Sequence, residues 1–288
     1  MAIDPSAKPA IFITGTSTGI GAACAVELAG SGYRVFAGVR QPADGERLQG
    51  LTLDELTPVL VDVTDEQTVR AAVETIEAAV GAAGLAGLVN NAGIVVAGPL
   101  ELLPTSELRR QLEVNVLGTH AVTRAVLPLV RRARGRIVMM GSISGLIAPP
   151  YIGAYAASKY ALEAMTDALR VELSRWRIRV SIIEPDAVAT PIWDKFDRSI
   201  TALGADADPQ IQQLYAAEIE HMRRAGLQLG KTGVPTSRVV RAVLHALSAR
   251  WPKTRYPIGW RPWLAFGGAR HVPPGVLDWI LRKSMGLP

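Results

Sequence analysis

Short apolar segments of strand type alternate with helical segments, without a break, over about 175 residues of this chain. Because strands that alternate with helices pair in parallel, this alternation predicts an α/β fold with a doubly wound parallel sheet. The predicted strands cover residues 11–13, 33–39, 59–63, 85–89, 136–140 and 179–183, and the predicted helices cover 20–28, 66–80, 106–129 and 153–174. Thr64-Asp65-Glu66 is a helix start of the N-cap type.

The pattern indicates one domain over residues 1–288, with two additions. Residues 191–233 are polar and mixed, with a helix predicted at 209–224. They follow the carboxyl end of a strand, where doubly wound folds bind ligands, so they are interpreted as a substrate lid. A plain surface helix is the alternative. Residues 251–288 form a basic C-terminal extension that contains Trp251, Trp260, Trp263 and Trp279.

Composition limits the class of protein. Apolar residues make up 49% of the 288 residues, which is enough for a large core. The single cysteine, Cys24, excludes an intrachain disulfide and favours a reducing compartment. The N-terminal residues do not read as a signal peptide, and no apolar stretch reaches bilayer-spanning length. A cytoplasmic protein is therefore expected, with surface association with a membrane left open.

The net charge of +5 is unevenly distributed. Residues 251–288 carry six basic side chains and one acidic side chain, whereas residues 1–250 carry 25 of each. This balance does not indicate a nucleic-acid-binding surface. Aromatic and basic residues together in the extension are compatible with a membrane-surface segment. Subunit packing or a pocket wall is the preferred alternative.

A glycine-rich turn follows the first predicted strand and opens the first helix. It reads Thr14-Gly15-Thr16-Ser17-Thr18-Gly19-Ile20-Gly21. Glycines let the backbone approach a pyrophosphate, and a helix N-terminus supplies N–H donors. The turn lacks the lysine of a P-loop, which disfavours ATP and GTP. It therefore predicts a dinucleotide site, with an ordinary glycine turn as the alternative.

The end of the second strand bears on the choice of dinucleotide. An acid at this place binds the ribose 2′-hydroxyl of NAD, whereas an arginine accepts the 2′-phosphate of NADP. The sequence is Ala37-Gly38-Val39-Arg40, so NADP(H) is preferred. Asp44 nearby leaves NAD(H) open, and a solvated loop arginine is the alternative role for Arg40.

Tyr155 and Lys159 stand one helical turn apart, and Ser142 lies thirteen residues before the tyrosine. A cation close to a phenol favours the phenolate, and a hydroxyl from another segment can hold the oxygen of a reacting carbonyl. The three residues therefore indicate a proton-transfer site for carbonyl and alcohol chemistry. The spacing alone is also common in amphipathic helices. Tyr151, two turns from Lys159, is the weaker candidate phenol.

Over about residues 8–190 the chain resembles the short-chain dehydrogenase/reductases of the single-domain type. The resemblance is carried, in the family's order, by the Thr14–Gly21 turn, Asp62, Asn90-Asn91-Ala92-Gly93, Asn115, Ser142, Tyr155-x-x-x-Lys159 and Pro185. It implies a Rossmann-like fold, a nicotinamide cofactor and oxidoreductase activity. The strand at 35–40 and the terminal Leu287-Pro288 look similar to the steroid and retinol dehydrogenase branch.

The resemblance also implies roles for the matching positions. In reduction Tyr155 would protonate the carbonyl oxygen, and Lys159 would lower the pKa of Tyr155 and bind the nicotinamide ribose. Ser142 would hold the substrate oxygen, and Asn115 would anchor a water of a proton relay. Without the resemblance, Asn115 reads as a packing residue that distorts a helix. The implied cofactor-binding residues are Gly15, Thr16, Ser17, Thr18, Gly19, Ile20, Gly21, Arg40, Asp62, Val63, Asn91, Ala92, Gly93, Tyr155, Lys159, Pro185, Val188 and Thr190.

Asp62 would hold the adenine end of the cofactor, although a strand-end acid that caps the next helix would look the same. The chain departs from the family at Asp186, where a glycine usually follows the proline beside the nicotinamide. A carboxylate there could disturb the carboxamide of the cofactor or face solvent. No metal site is expected.

The expected substrate pocket is mostly apolar, which suggests a lipophilic alcohol or ketone. Its predicted residues are Val95, Val96, Leu100, Leu146, Ile147, Pro149, Ile192 and Trp193. His221 in the lid would contact the substrate or face solvent. Members of the family pair through the helices that bear Asn115 and Tyr155, so a homodimer or homotetramer is expected. The alternatives are a non-catalytic NADP-binding scaffold and an NAD-dependent alcohol dehydrogenase.

Overall fold

A computed structural model describes residues 8–52, 54–202, 209–265 and 272–284. Seven strands form one sheet in the order β3-β2-β1-β4-β5-β6-β7, and every pair of neighbours is parallel. The strands are β1 Ala10–Ile13, β2 Arg34–Val39, β3 Leu56–Leu60, β4 Gly87–Asn90, β5 Arg136–Met140, β6 Arg179–Pro185 and β7 Arg255–Ile258. The predicted doubly wound parallel sheet is confirmed, and β7 is an addition from the C-terminal extension.

Helices cover both faces of the sheet. They are α1 Gly19–Gly30, α2 Pro42–Gln49, α3 Glu66–Val80, α4 Thr105–Leu112, α5 Thr119–Ala133, α6 Gly153–Glu172, α7 Ile192–Ala202, α8 Pro209–Leu214, α9 Ala216–Thr232, α10 Thr236–Ser248, α11 Trp260–Leu264 and α12 Pro274–Ser284. A π-helical segment, Glu113–Gly118, joins α4 to α5. The carboxylate of Asp65 accepts hydrogen bonds from Gln67 N and Thr68 N, so the predicted N-cap of α3 is confirmed.

Neighbouring residues of each strand point to opposite faces of the sheet and enter two separate cores. Ile11 and Ile13 of β1 pack into a core with α1 and α10, while Phe12 between them packs into a core with α3 and α5. Because both faces are covered, the strands read as continuous apolar runs. This explains why the sequence shows short unbroken apolar segments instead of a polar–apolar alternation.

Several boundaries differ from the sequence-based predictions. The third strand ends at Leu60, earlier than predicted, and the lid helix is interrupted at Tyr215 between α8 and α9. The sixth strand continues through Pro185, which pairs with Ile258 as its last residue. A proline fits there because it lies at the end of the strand, where a missing N–H disturbs the ladder least.

The turn between β1 and α1 packs tightly against the end of β4. Thr14 N donates to Val89 O (3.0 Å), and the Thr14 hydroxyl accepts from Asn91 N and Ala92 N (3.1 and 3.0 Å). Gly15 has φ of +69°, and a β-carbon there would lie 2.7 Å from Ala92 Cα. Gly21 is equally confined, since its β-carbon would lie 2.2 Å from Gly15 O. The two glycines are therefore needed for the shape of this turn.

Among the described residues, no helix is both long and apolar enough to cross a bilayer, and no cluster of metal-ligating side chains occurs.

Gly21→Ala should lower the free energy of unfolding by about 1 to 3 kcal/mol, because its added methyl group meets backbone and must displace the turn. Chemical denaturation measures this change. Gly30→Ala at the other end of α1 is the matched control, since the nearest atom to its β-carbon is 3.7 Å away. Equal stability of the two variants would contradict the close packing.

Candidate active site

One large cleft lies along the carboxyl ends of the strands. Its volume is about 1440 Å³, and it extends from the β1–α1 turn past α6 to residues 191–233, interpreted above as a lid, and the C-terminal extension. The centre of the cleft is the point between β1 and β4 where the strand order reverses. Open parallel sheets bind their ligands at this point.

The β1–α1 turn offers main-chain donors to the cleft. The N-cap residue Thr18 makes no side-chain capping bond to α1, and the first turn of that helix carries no acid. Free N–H groups and the positive end of the helix dipole favour a phosphate group. The glycines leave room for a pyrophosphate beside the backbone, so this part of the chain fits a dinucleotide.

The expected cofactor residues lie along this cleft, with one exception. Thr16 is fully buried, and its hydroxyl donates to Gly38 O (3.0 Å), so Thr16 shapes the turn from behind. The residues that line the cleft are Gly15, Ser17, Thr18, Gly19, Ile20, Gly21, Arg40, Asp62, Val63, Asn91, Ala92, Gly93, Tyr155, Lys159, Pro185, Val188 and Thr190. Asn91 also braces the turn, donating to Thr14 O and Gly15 O (3.0 and 2.9 Å).

Arg40 and Asp62 mark the end of the cleft that lies at β2 and β3. The Asp62 carboxylate accepts from Thr64 N (3.0 Å) and from the Thr64 hydroxyl (2.7 Å). Burial alone would raise the pKa of Asp62, but these bonds and the charge of Arg40 outweigh it and lower that pKa. Asp44 forms an ion pair with Arg47 (2.8 Å), so its carboxylate is already engaged.

Tyr155 and Lys159 lie on one face of α6 at the centre of the cleft. The Lys159 ammonium donates to Met140 O (2.7 Å) and lies 5.5 Å from the centroid of the Tyr155 ring. Burial lowers the pKa of Lys159 to about 8, while the negative charge of Glu163 counteracts this shift. The ammonium therefore carries its charge at neutral pH and loses it in mildly alkaline solution.

The pKa of Tyr155 differs from the expected direction. Burial raises the pKa of the phenol above its ordinary value, and a hydrogen bond with Ser142 lowers it only in part. Lys159 was expected to lower the pKa of Tyr155. Desolvation outweighs that effect, because burial disfavours the phenolate more strongly than the neighbouring groups favour it. At neutral pH the phenol is protonated.

Tyr151, the weaker candidate phenol, packs in a separate apolar cluster with Trp193 and Ile219.

Ser142 follows β5 and caps the 3₁₀ turn Ile143–Gly145, since its hydroxyl accepts from Ser144 N (3.1 Å). The same hydroxyl reaches the phenol of Tyr155. The structure thus brings Ser142, Tyr155 and Lys159 together on one wall, although they come from two different elements.

Asn115 lies behind this wall, in the π-helical segment. Its side chain accepts from Ile94 N (2.9 Å) and donates to Ile94 O and the Ser158 hydroxyl (3.0 Å each). π-helical turns often occur at functional sites, where they aim a side chain that a regular helix would place elsewhere. Asn115 is buried in a distorted helical turn, as the packing alternative expects, and it also joins α6 to the loop after β4.

Gln111 and Ser158 belong to the same network and were not predicted. Gln111 is fully buried, accepts from Val96 N (2.7 Å), and donates to Ile94 O (3.0 Å) and the Ser158 hydroxyl (3.4 Å). The four-residue spacing of Gln111 and Asn115 on a predicted helix was the signal that could have found it.

Asp186 faces the C-terminal extension. Its carboxylate accepts from Ala187 N (2.8 Å) and lies 3.9 Å from a guanidinium nitrogen of Arg261 in α11. A β-carbon at Gly259 would lie 2.9 Å from Asp186 Cβ, so the two segments are in close contact. The unusual acid therefore lines the cleft with a counter-charge beside it.

The remaining half of the cleft is mostly apolar and involves the lid and the extension. Of the predicted pocket residues, Val95, Ile147, Pro149, Ile192 and Trp193 line it, together with His221. Val96 is buried beneath the wall and Leu100 is exposed, so the structure does not place these two in the cleft, nor Leu146. The extension supplies Trp260, Arg261, Leu277, Ile280 and Leu281. Leu287, Pro288 and the Trp263 side chain lie outside what the structure describes.

Trp193 has a fixed orientation in this half. Its indole N–H donates to Val188 O (2.8 Å), its ring meets Phe196 edge-on at 5.5 Å, and Gly226 and Gly230 of α9 leave room for the two rings. The lid is thereby packed directly on the segment that follows β6.

Comparisons with known proteins agree with this geometry. A family model for short chain dehydrogenases matches residues 9–200. Retinol dehydrogenase 5 of Homo sapiens is 36% identical over 97% of this chain and 91% of its own length. The 17-beta-hydroxysteroid dehydrogenase type 6 of Bos taurus is 36% identical over 96% and 89%. The solved structure of a short-chain dehydrogenase from Streptomyces avermitilis has a TM-score of 0.77 at 26% identity, covering 98% of this chain and 99% of that one. The chain therefore belongs to the short-chain dehydrogenases, a family of oxidoreductases with a Rossmann-like fold that binds a nicotinamide dinucleotide.

Proposed function

We propose that the protein is an NADP(H)-dependent oxidoreductase that interconverts a lipophilic alcohol and its ketone or aldehyde. The observation that carries the proposal is that Ser142, Tyr155 and Lys159 meet on one wall of a cleft whose far half is apolar. The similarity to a retinol dehydrogenase and a hydroxysteroid dehydrogenase supports a retinoid-like, steroid-like or aliphatic substrate.

In the reduction direction the bound dinucleotide supplies a hydride to the carbonyl carbon. The Tyr155 hydroxyl donates its proton to the carbonyl oxygen, and the Ser142 hydroxyl donates a hydrogen bond to the same oxygen. The raised pKa of Tyr155 keeps the phenol protonated at neutral pH, as an acid requires. In oxidation the tyrosinate accepts the proton of the alcohol.

Lys159 has two tasks in this proposal. Its positive charge stabilises the tyrosinate that proton transfer leaves behind, and its N–H groups bind the ribose beside the nicotinamide. Asn115 fixes the wall behind Lys159, and the proton relay through a water at Asn115 stays a prediction.

NADP(H) is preferred in this proposal because Arg40 at the end of β2 lines the cleft, while Asp44 is paired with Arg47. A guanidinium can bind a 2′-phosphate through charge-assisted hydrogen bonds. NAD(H) remains the second candidate.

Tyr155→Phe should lower turnover by about 100- to 10,000-fold, because it removes the proton donor. NADPH affinity, measured by fluorescence titration, should change far less than turnover. Tyr160→Phe on the same helix is the matched control, since its hydroxyl binds Leu146 O on the protein surface. The turnover panel holds a retinoid, a steroid alcohol, an aliphatic ketone and a sugar. Activity on the sugar alone would contradict the lipophilic substrate, and NADPH binding without any turnover would favour the scaffold alternative.

Arg40→Ala should weaken NADPH binding by about 10- to 100-fold, because hydrogen bonds between charged groups are lost. NADH affinity should change little, and calorimetry can measure both. Arg70→Ala, on the exposed surface of α3, is the control for a general loss of positive charge. An equal loss for the two cofactors would contradict recognition of the 2′-phosphate.

Peripheral membrane contact through the C-terminal extension is a further part of the proposal. Trp260 and Trp279 are exposed there, with Trp260 beside Arg261 and Trp279 one turn before the basic Arg282 and Lys283 of α12. Aromatic side chains beside basic ones favour the interface of an anionic bilayer.

Replacing Trp260 and Trp279 by alanine should therefore reduce co-sedimentation with liposomes that contain anionic lipid, because the interfacial anchors are lost. Trp251→Ala is the control, because that ring is exposed but lies outside α11 and α12. No co-sedimentation of the parent protein would leave the extension as a cleft wall only.

A homodimer or homotetramer through the helices of Asn115 and Tyr155 stays a prediction. It is supported by large apolar side chains that are exposed on these helices, namely Leu117, Tyr160 and Val171.

A further inference from the structure

Three carboxylates meet one guanidinium behind the catalytic helix. Arg255 of β7 donates through Nη1 to Glu163 and to Glu184 (2.7 Å), and through Nη2 to both oxygens of Asp167 (3.1 and 3.0 Å). The Glu184 side chain is fully buried and that of Glu163 is 9% exposed, whereas that of Asp167 is 41% exposed. Asp167 also accepts from Arg170 (2.6 Å), so it has a second cation.

The two deeply buried carboxyl groups therefore depend on the same nitrogen of Arg255. One oxygen of each, Oε1 of Glu163 and Oε2 of Glu184, is buried without a hydrogen-bond partner. Ionised carboxylates only accept hydrogen bonds, so two of them side by side repel and leave these oxygens unsatisfied. A single proton on one carboxyl removes one negative charge and provides a donor to the other.

Glu163 also contacts the catalytic centre. It follows Lys159 by one helical turn, and its negative charge favours the protonated form of that lysine. A β-carbon at Gly145 would lie 3.0 Å from Glu163 Cγ and 3.1 Å from Lys159 O. The 3₁₀ turn that Ser142 caps thus rests directly on Glu163 and the backbone of Lys159.

We propose that Glu163 is a positioning residue of the active site, which shares one proton with Glu184 and keeps Lys159 charged through the negative charge that remains. The effect on Lys159 matters for catalysis only if the proposed function is correct, and in this respect the proposal rests on it. The shared proton is independent of any reaction. Among the described residues, the charged side chains that face Glu163 are Lys159 and Asp167 from α6, Glu184 from β6 and Arg255 from β7.

The direction of the titration follows from these charges. Burial and the neighbouring charge of Glu184 raise the pKa of Glu163 to about 7, although Arg255 lowers it, and burial raises the pKa of Glu184. As the pH rises and the shared proton leaves, the pair becomes doubly negative and holds the Lys159 proton more firmly. The pair thus opposes the loss of the ammonium that burial favours.

Infrared spectroscopy tests the shared proton without any substrate. At about pH 6, above the ordinary pKa of glutamate, the parent protein should show the carbonyl stretch of a protonated buried carboxyl group. The band should disappear in Glu163→Gln and in Glu184→Gln, because each leaves one carboxylate beside Arg255. Glu172→Gln, exposed at the end of the same helix, should keep it. A parent protein without the band, or a band that survives in both variants, would overturn the proposal.

The pH dependence of NADPH binding tests the effect on Lys159. In Glu163→Gln the loss of affinity at high pH should begin about one pH unit lower, because the lysine has lost its anionic neighbour. In Glu184→Gln the shift should be much smaller, since Glu163, the carboxylate that acts on Lys159, remains ionised. An unchanged curve in Glu163→Gln, or a downward shift of a full pH unit in Glu184→Gln, would refute the role. If Glu163→Gln does not fold, the pH curve and the infrared band of Glu184→Gln test the proposal. A protein that shows the band and the shift but no turnover would refute the proposed function alone.

Discussion

The parallel pairing of seven strands determines where chemistry can occur in this molecule. A parallel strand can be followed by its neighbour only after the chain has crossed back, so every loop that leaves a carboxyl end appears on the same edge of the sheet. The β1–α1 turn, the Asn91 turn, the Ser142 turn and the segment after Pro185 all lie on that edge. Residues that are far apart in the chain thereby become neighbours around one cleft.

The local features of this edge could be predicted from the sequence, because each depends on a short pattern. The glycine turn, the Asp65 cap and the pairing of Tyr155 with Lys159 all lie within a few residues and follow from backbone geometry. Boundaries such as the interruption at Tyr215 could not be predicted, since tertiary packing decides where a helix ends.

Contacts between distant segments could not be predicted either. Gln111 and Asn115 reach Ser158 across more than forty residues, and Arg255 reaches Glu163 across 92. The partner of Asp186, Arg261, belongs to the C-terminal extension, whose basic and aromatic composition gives no information on its contacts with the sheet. The pKa of Tyr155 was misjudged for a related reason, since the spacing of two residues contains no information on how deeply the phenol is buried.

Arg255 belongs to β7, which follows both α6 and β6 in the chain. Until β7 pairs with β6, the buried sites of Glu163 and Glu184 have no guanidinium beside them, and two carboxyl groups must stay in water or take up protons. A chain that ends before residue 255 would contain every residue of the cofactor half of the cleft. It would lack the guanidinium that neutralises the two buried carboxyl groups near Lys159. The last strand is thus needed for the electrostatic balance beneath α6, because two buried carboxyl groups would lose their counter-charge without it.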